Sequence, residues 1–65
     1  MTSILTPRQH EVLCLLGEGL STREIAGRLV CAETTARNHV QAILTRLGCS
    51  SRLAAVLQAQ RLGLL

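Results

Sequence analysis

The sequence predicts an all-α fold, a compact domain of four helices. Apolar residues recur at every third or fourth position along most of the chain, which is the period of amphipathic helices, and no segment alternates as a strand would. Helix punctuation supports this period, because a serine or threonine precedes three of the expected helices and a glycine follows three of them. Together these signals divide the 65 residues into four helical segments.

The first helix begins at Thr6 and Pro7, where three helix-start signals coincide. Thr6 is a hydroxyl N-cap, Pro7 occupies the first helical position, and Gln9 lies three residues after the cap. We expect this helix to run from Pro7 to about Glu18 and to stop at Gly19. Its inward residues are predicted to be Val12, Leu13 and Leu16.

The second helix is short and opens with another capping box, which covers Ser21 to Glu24. It is expected to run through about Leu29, and its predicted buried residues are Ile25, Ala26 and Leu29. Only the three residues from Val30 to Ala32 separate it from a third helix that begins at Glu33. A short helix joined by a tight turn to a longer amphipathic one is the helix-turn-helix arrangement, whose second member lies in the DNA major groove.

The third helix carries apolar and polar side chains on opposite faces. At about 3.6 residues per turn, the apolar face holds Ala36, Val40, Ile43, Leu44 and Leu47. The opposite face holds no acid and consists of Thr34, Asn38, Gln41 and Thr45. Between the two faces lie Arg37 on one shoulder and His39 and Arg46 near the other. Such groups read base edges and bind phosphates, although an ordinary surface helix with a solvated polar face also fits this pattern alone.

A fourth helix completes the expected architecture. Gly48 ends the third helix, because glycine readily adopts the left-handed conformation. Ser50 or Ser51 then caps the fourth helix, which runs to about Leu62 with Gly63 as its stop. No linker or low-complexity segment interrupts the chain, so residues 1–65 are predicted to form one domain.

Size and composition exclude several classes of function. A domain of this length buries only roughly 60% of its unfolded surface, which argues against a large enclosed active site. The chain has no Phe, Tyr or Trp, which removes base stacking and favours a duplex over single-stranded nucleic acid. The formal net charge is +3, and the C-terminal half is the positive half. Its arginines at 37, 46 and 52 are accompanied by no acid beyond Glu33.

Metal and thiol chemistry find little support in the sequence. Cys14, Cys31 and Cys49 form no close pair, so we expect reduced thiols rather than a disulfide framework or a zinc ribbon. His10 and Cys14 face each other four positions apart on the first helix, but two ligands do not make a zinc site. Cys14 and His39 lie on different helices without an orienting carboxylate, so no catalytic dyad is expected. We therefore predict no metal and no cofactor.

Targeting signals are also missing from the sequence. The N-terminus lacks a cationic and apolar targeting pattern, and the uninterrupted apolar runs are too short to cross a bilayer. We therefore predict a cytoplasmic protein with no membrane partner.

Taken together, these residues resemble the C-terminal DNA-binding domain of the LuxR family, the FixJ/NarL or GerE type of helix-turn-helix. The matching blocks are LTPRQHEVLCLLGEGLSTREIAGRL from Leu5 to Leu29, ETTARNHVQAILTRLG from Glu33 to Gly48, and SSRLAAV from Ser50 to Val56. They cover nearly the entire chain, and their combination is far more specific than a lone helix-turn-helix signal. The resemblance implies a bacterial transcription regulator that binds double-stranded DNA sequence-specifically and is not an enzyme.

The resemblance also implies roles for individual residues. Base edges are expected to be met by Arg37, Asn38 and Gln41. Contacts to the DNA backbone are expected from Thr22, Arg23, Thr35, His39, Arg46 and Arg52. Weak homodimerisation through the fourth helix is expected from Ala54, Val56, Leu57, Gln58 and Ala59. RNA polymerase is a further partner that such a regulator is expected to meet.

The chemistry of these side chains supports several of the implied roles. Arg37 can bond guanine in a bidentate way, Asn38 can pair with adenine, and Gln41 lies one turn later. For His39, packing with one hydrogen-bonded nitrogen is as good an interpretation as a phosphate contact. Ala32 stands where the family usually has a capping residue, which should cost about 1 kcal/mol of stability.

A helical protein-interaction module without a DNA role is the alternative interpretation. An interaction helix more often carries an exposed apolar anchor, whereas the polar row Thr34, Asn38 and Gln41 contains none. A complete small regulator and the output domain of a longer response regulator both fit the sequence.

Overall fold

The computed structural model describes residues 4–65, which form four α-helices in the predicted order. These are α1 (Pro7–Gly17), α2 (Thr22–Leu29), α3 (Glu33–Leu47) and α4 (Arg52–Arg61). Helix α3 packs against each of the other three helices, and α1 also packs against α2 and α4. The predicted all-α fold with a helix-turn-helix is therefore confirmed. Of the predicted domain, residues 1–3 lie outside the described residues.

Side-chain hydrogen bonds begin three of the four helices. At α1, Thr6 Oγ1 accepts a bond from the N–H of Gln9 at 3.1 Å. Gln9 Oε1 in turn accepts a bond from the N–H of Thr6 at 3.0 Å. Ser21 and Glu24 form the same reciprocal capping box at α2, and Ser51 caps α4. The predicted helix starts are confirmed. They could be predicted because local side-chain chemistry determines where a helix begins.

The capping carboxylate of α2 is sensitive to pH. The pKa of Glu24 lies below its ordinary value, mainly because the carboxylate accepts a bond from the Ser21 N–H at 2.9 Å. The hydrogen bond with the Ser21 side chain lowers the pKa further, and the Arg28 cation adds a smaller effect. Folding thus favours the ionised form. Its stabilising contribution is present above the ordinary carboxyl pKa and is lost as the pH falls through the folded-state pKa.

All four helices end in the same backbone motif, in which a left-handed residue follows the helix. In each case the next N–H bonds to a carbonyl five residues back, and these pairs are Leu20 to Leu15, Cys31 to Ala26, Cys49 to Leu44, and Leu64 to Ala59. Gly19, Gly48 and Gly63 hold the left-handed position in three motifs, with φ of 87°, 68° and 75°. Val30 holds it in the motif after α2, with φ of 55°.

The core is entirely aliphatic, because the chain has no aromatic residue. Its largest fully buried side chains are Val12, Leu13, Ile25 and Ile43. Ala36, Ala55 and Ala59 are fully buried as well, and such small side chains allow α3 and α4 to approach their neighbours closely. The predicted inward residues of α1, α2 and α3 are confirmed, except that Leu29 and Leu47 are only partly buried at the edge of the core.

Val30 strains the turn between α2 and α3. Its β-branched side chain is 91% exposed, so no burial compensates for the left-handed conformation, which costs about 1–2 kcal/mol in a residue with a Cβ. Among residues 4–65 it is the one non-glycine residue with positive φ. The same motif is thus formed without strain in three places and with strain in the fourth.

We therefore expect Val30→Gly to raise the free energy of unfolding by about 1 kcal/mol, since relief of strain outweighs the greater entropy of the unfolded glycine chain. The reciprocal variant Gly48→Val should lower it by about 1–2 kcal/mol. A Cβ at Gly48 meets no atom within 4 Å, so the first side-chain carbon of this control fits without a clash. Urea unfolding followed by circular dichroism measures both. A Val30→Gly protein that is less stable than the parent would contradict the assignment of strain.

Candidate nucleic-acid interface

The polar face of α3 points away from the core. Thr34, Asn38, Gln41 and Thr45, which form this polar face, are all exposed, as the sequence predicted. On the opposite side Ala36, Val40, Ile43 and Leu44 are buried. The Thr45 hydroxyl donates a hydrogen bond to the Gln41 carbonyl oxygen at 3.0 Å, within the helix. The side-chain amides of Asn38 and Gln41 are therefore the planar hydrogen-bonding groups that this face offers.

An ion pair spans the first turn of α3. Arg37 Nη2 lies 3.8 Å from Glu33 Oε2, and the two side chains are 61% and 48% exposed. The N-cap residue Ala32 makes no side-chain hydrogen bond to this turn, in line with the expected loss of a cap. Sequence reasoning missed the ion pair. The spacing of four residues, with the acid N-terminal to the arginine, is the signal that could have found it.

Most residues predicted to contact the DNA backbone are at the surface. Arg23, Thr35 and Arg46 are exposed, and His39 is half-buried on the shoulder of α3. Arg46 lies in the last turn of α3, where a cation is also favoured by the negative end of the helix dipole. These side chains lie on α2 and α3, the two helices of the helix-turn-helix.

Thr22 and Arg52 are bonded to each other, which the sequence did not predict. Thr22 is buried, with 8% exposure, and its Oγ1 accepts a hydrogen bond from Arg52 Nη2. The bond joins the first residue of α2 to the first residue of α4. The hydroxyl oxygen of Thr22 is thus already engaged within the domain. Arg52 remains exposed and retains further N–H donors beyond this bond.

The predicted dimerisation residues on α4 differ in exposure, and one of them is wrong. Ala59 is fully buried in the core and cannot contact another molecule. Its small side chain lies in the core, where α4 packs against α1 and α3. Leu53 is 70% exposed and Leu57 46% exposed. The remaining predicted residues, Ala54, Val56 and Gln58, are half-buried.

A shallow apolar groove runs beside the exposed side of α4. Its apolar walls are formed by Leu16, Leu20, Leu53 and Val56. Arg52, which is bonded to Thr22, also lines the groove.

His10 and Cys14 come together on α1 as their spacing predicted. Cys14 Sγ lies 3.9 Å from His10 Nδ1, and His10 Nε2 lies 3.0 Å from the carbonyl oxygen of Leu64. Within residues 4–65, no group of three or more His, Cys, Asp or Glu side chains is arranged to hold a metal ion. Each helix over the same range falls short of the length and apolar character that a membrane crossing requires.

Comparison with known proteins agrees with this geometry. A family model described as "Bacterial regulatory proteins, luxR family" matches residues 3–59. The chain belongs to the LuxR family. The transcription factor GerE has a solved structure that is 41% identical in sequence, with a TM-score of 0.90, and the match covers 98% of this chain and 96% of that one.

A second solved structure places the same domain inside a longer protein. The response regulator ChrA, from a heme-sensing two-component system, is 34% identical with a TM-score of 0.91. That match covers 100% of this chain and 32% of ChrA. This LuxR-family chain is therefore a DNA-binding domain of a transcription regulator, not an enzyme, and double-stranded DNA is its partner. The sequence-based predictions of family and function are confirmed.

Proposed function

We propose that this LuxR-family domain binds duplex DNA sequence-specifically by placing the polar face of α3 in the major groove. The orientation of α3 carries the proposal. Its apolar stripe is buried against the other three helices, so Asn38 and Gln41 are held outward with little freedom to rotate away. A helix that docks on proteins would instead present an apolar anchor there, and the polar face of α3 has none.

Base reading is proposed for Arg37, Asn38 and Gln41. All three are exposed in the first three turns of α3, the end of a recognition helix that approaches base edges. Arg37 is suited to the O6 and N7 atoms of guanine, and the two amides are suited to the N6 and N7 atoms of adenine. These contacts would determine which sequence is preferred.

Backbone contacts are proposed for Arg23, Thr35, His39, Arg46 and Arg52. The arginines supply charge that neutralises phosphates without regard to sequence. Arg52 also has a structural role, because its bond to Thr22 fixes the start of α2 relative to α4. For Thr22 we propose that this bond positions the N-terminal end of α2, whose helix dipole favours a phosphate.

Two copies are proposed to bind one complete site. The described domain measures 28 × 24 × 18 Å. Its longest dimension is less than the roughly 34 Å that separates half-sites on one face of the duplex, so two copies fit on neighbouring half-sites without overlap. The exposed leucines of α4, flanked by the half-buried Ala54, Val56 and Gln58, offer a surface for weak pairing. RNA polymerase as a further partner, action in the cytoplasm and a single domain over residues 1–65 complete the proposal.

Binding to any duplex should depend steeply on salt, because phosphate contacts release counterions. Arg46→Ala should weaken binding to all sequences alike and reduce the slope of log K against log salt by roughly 1, since one phosphate contact is lost. Fluorescence anisotropy over a salt series measures the slope. Folded protein that fails to bind random duplex even at low salt would contradict the proposed function.

Sequence preference should depend on α3 in a different way. Arg37→Ala or Asn38→Ala should each cost about 1–3 kcal/mol on the preferred site and little on random duplex, because a base contact is lost. Arg46→Ala is the matched control, which should scale both affinities together. Binding-site selection measures the preference. Recovery of the parent consensus with undiminished discrimination by both variants would show that the recognition face is placed wrongly.

Pairing on DNA should depend on the exposed leucines of α4. The domain should be monomeric at low micromolar concentration, with two copies on a duplex that carries two half-sites. Leu57→Gln should reduce cooperativity by roughly tenfold, because each copy loses partial burial of one leucine at a symmetric contact. Leu62→Gln is the control, because Leu62 is equally exposed at 48% but lies beyond α4. Sedimentation that shows one protein per complete duplex at saturation would argue against pairing.

A further inference from the structure

The recognition helix begins with an acidic residue whose charge opposes DNA binding. Glu33 is the only acid between position 25 and the end of the chain, and it lies in the first turn of α3. A carboxylate near phosphates is repelled by them, which lowers affinity for every duplex. In the free domain, the positive end of the helix dipole stabilises the Glu33 carboxylate. That interaction accounts for an acid at this position but not for its effect on DNA binding.

The second observation is the partner of Glu33. Among residues 4–65, its carboxylate is paired with Arg37, at 3.8 Å, and with no other cation. In this helix the acid precedes the arginine by four residues, which is the favourable order for such a pair. Arg37, the one cation among the three residues proposed to read bases, therefore has its charge engaged before DNA arrives.

We infer that Glu33 is a specificity-determining residue, which withholds Arg37 from phosphates and yields it to a base edge. The inference rests on the proposed function, in which Arg37 reads a base. A phosphate offers Arg37 one anion in place of another, and Glu33 is then left unpaired in a negative potential. Guanine offers two neutral acceptors in the fixed geometry of the guanidinium group. The five N–H donors of Arg37 allow it to bond both acceptors while one donor still faces Glu33, so the specific complex does not leave the carboxylate unpaired. Glu33 thus penalises the non-specific complex more than the specific one, and specificity is the difference between the two affinities.

The test compares the parent with Glu33→Gln on two probes. One is a duplex of about 20 bp that the parent selects from a random library, and the other is a random-sequence duplex of equal length. Glu33→Gln frees Arg37 for one more phosphate, so the salt slope on random duplex should steepen by about 0.9 and affinity should rise by about tenfold at 0.1 M salt. Affinity for the selected duplex should rise by about twofold. Discrimination should therefore fall by about fivefold.

Matched variants separate this effect from a simple change of charge. Glu11→Gln removes the same charge from another exposed ion pair, in which Glu11 Oε2 lies 3.5 Å from Arg8 Nη1 on α1. It should leave discrimination unchanged. In an Arg37→Met background, Glu33→Gln should no longer steepen the salt slope, because no arginine is released. Urea unfolding of each variant verifies that α3 remains folded, and in the Arg37→Met background Glu33→Gln breaks no ion pair.

The outcomes are distinct. If Glu33→Gln raises the affinity for both duplexes by the same factor, Glu33 acts only as a surface charge and the inference is overturned. The same conclusion follows if Glu11→Gln reproduces the loss of discrimination. If the steeper salt slope persists in the Arg37→Met background, the released cation is not Arg37 and the inference is also overturned. Failure of the parent itself to bind either duplex at low salt would reject the proposed function instead.

Discussion

The fixed position of α3 within an aliphatic core is the constraint on which the rest of the structure depends. This helix packs against α1, α2 and α4, and its buried stripe includes Ala36, Val40 and Ile43. Without aromatic rings, the core is filled by small and branched side chains that interlock at short range. The contacts of its buried side chains therefore fix the rotation of α3 about its axis. That rotation decides which side chains meet DNA, so core packing and sequence recognition are properties of the same helix.

The parts of this structure that depend on local chemistry were predictable from the sequence. Capping boxes at Thr6 and Ser21 involve residues three positions apart, and the two faces of α3 follow from a clear helical period. The orientation of α4 was not predictable, because this helix has apolar residues around most of its circumference. Which of them lie inward is decided by the space between helices, and that space admits Ala55 and Ala59.

Two further features arise from tertiary structure and left no signal in the sequence. Val30 adopts a conformation that a β-branched residue disfavours, because the short connection between α2 and α3 demands it. Thr22 and Arg52 are separated by 30 positions, and only the packed domain brings them together. The site thus combines groups that helical periodicity places on one face with groups that the fold alone assembles. The family resemblance identified Thr22 and Arg52 as site residues but did not reveal the hydrogen bond between them.

The hydrogen bond between His10 and the carbonyl of Leu64 bears on how the domain folds. It joins positions 54 residues apart, whereas each capping bond spans three. Closing a long loop costs more chain entropy than closing a short one, so we expect helix starts to form early and this contact to form late. Contacts that form late are also expected to open early in the native state. We therefore expect hydrogen exchange to begin in the segment after α4, while α3 and its neighbours stay protected.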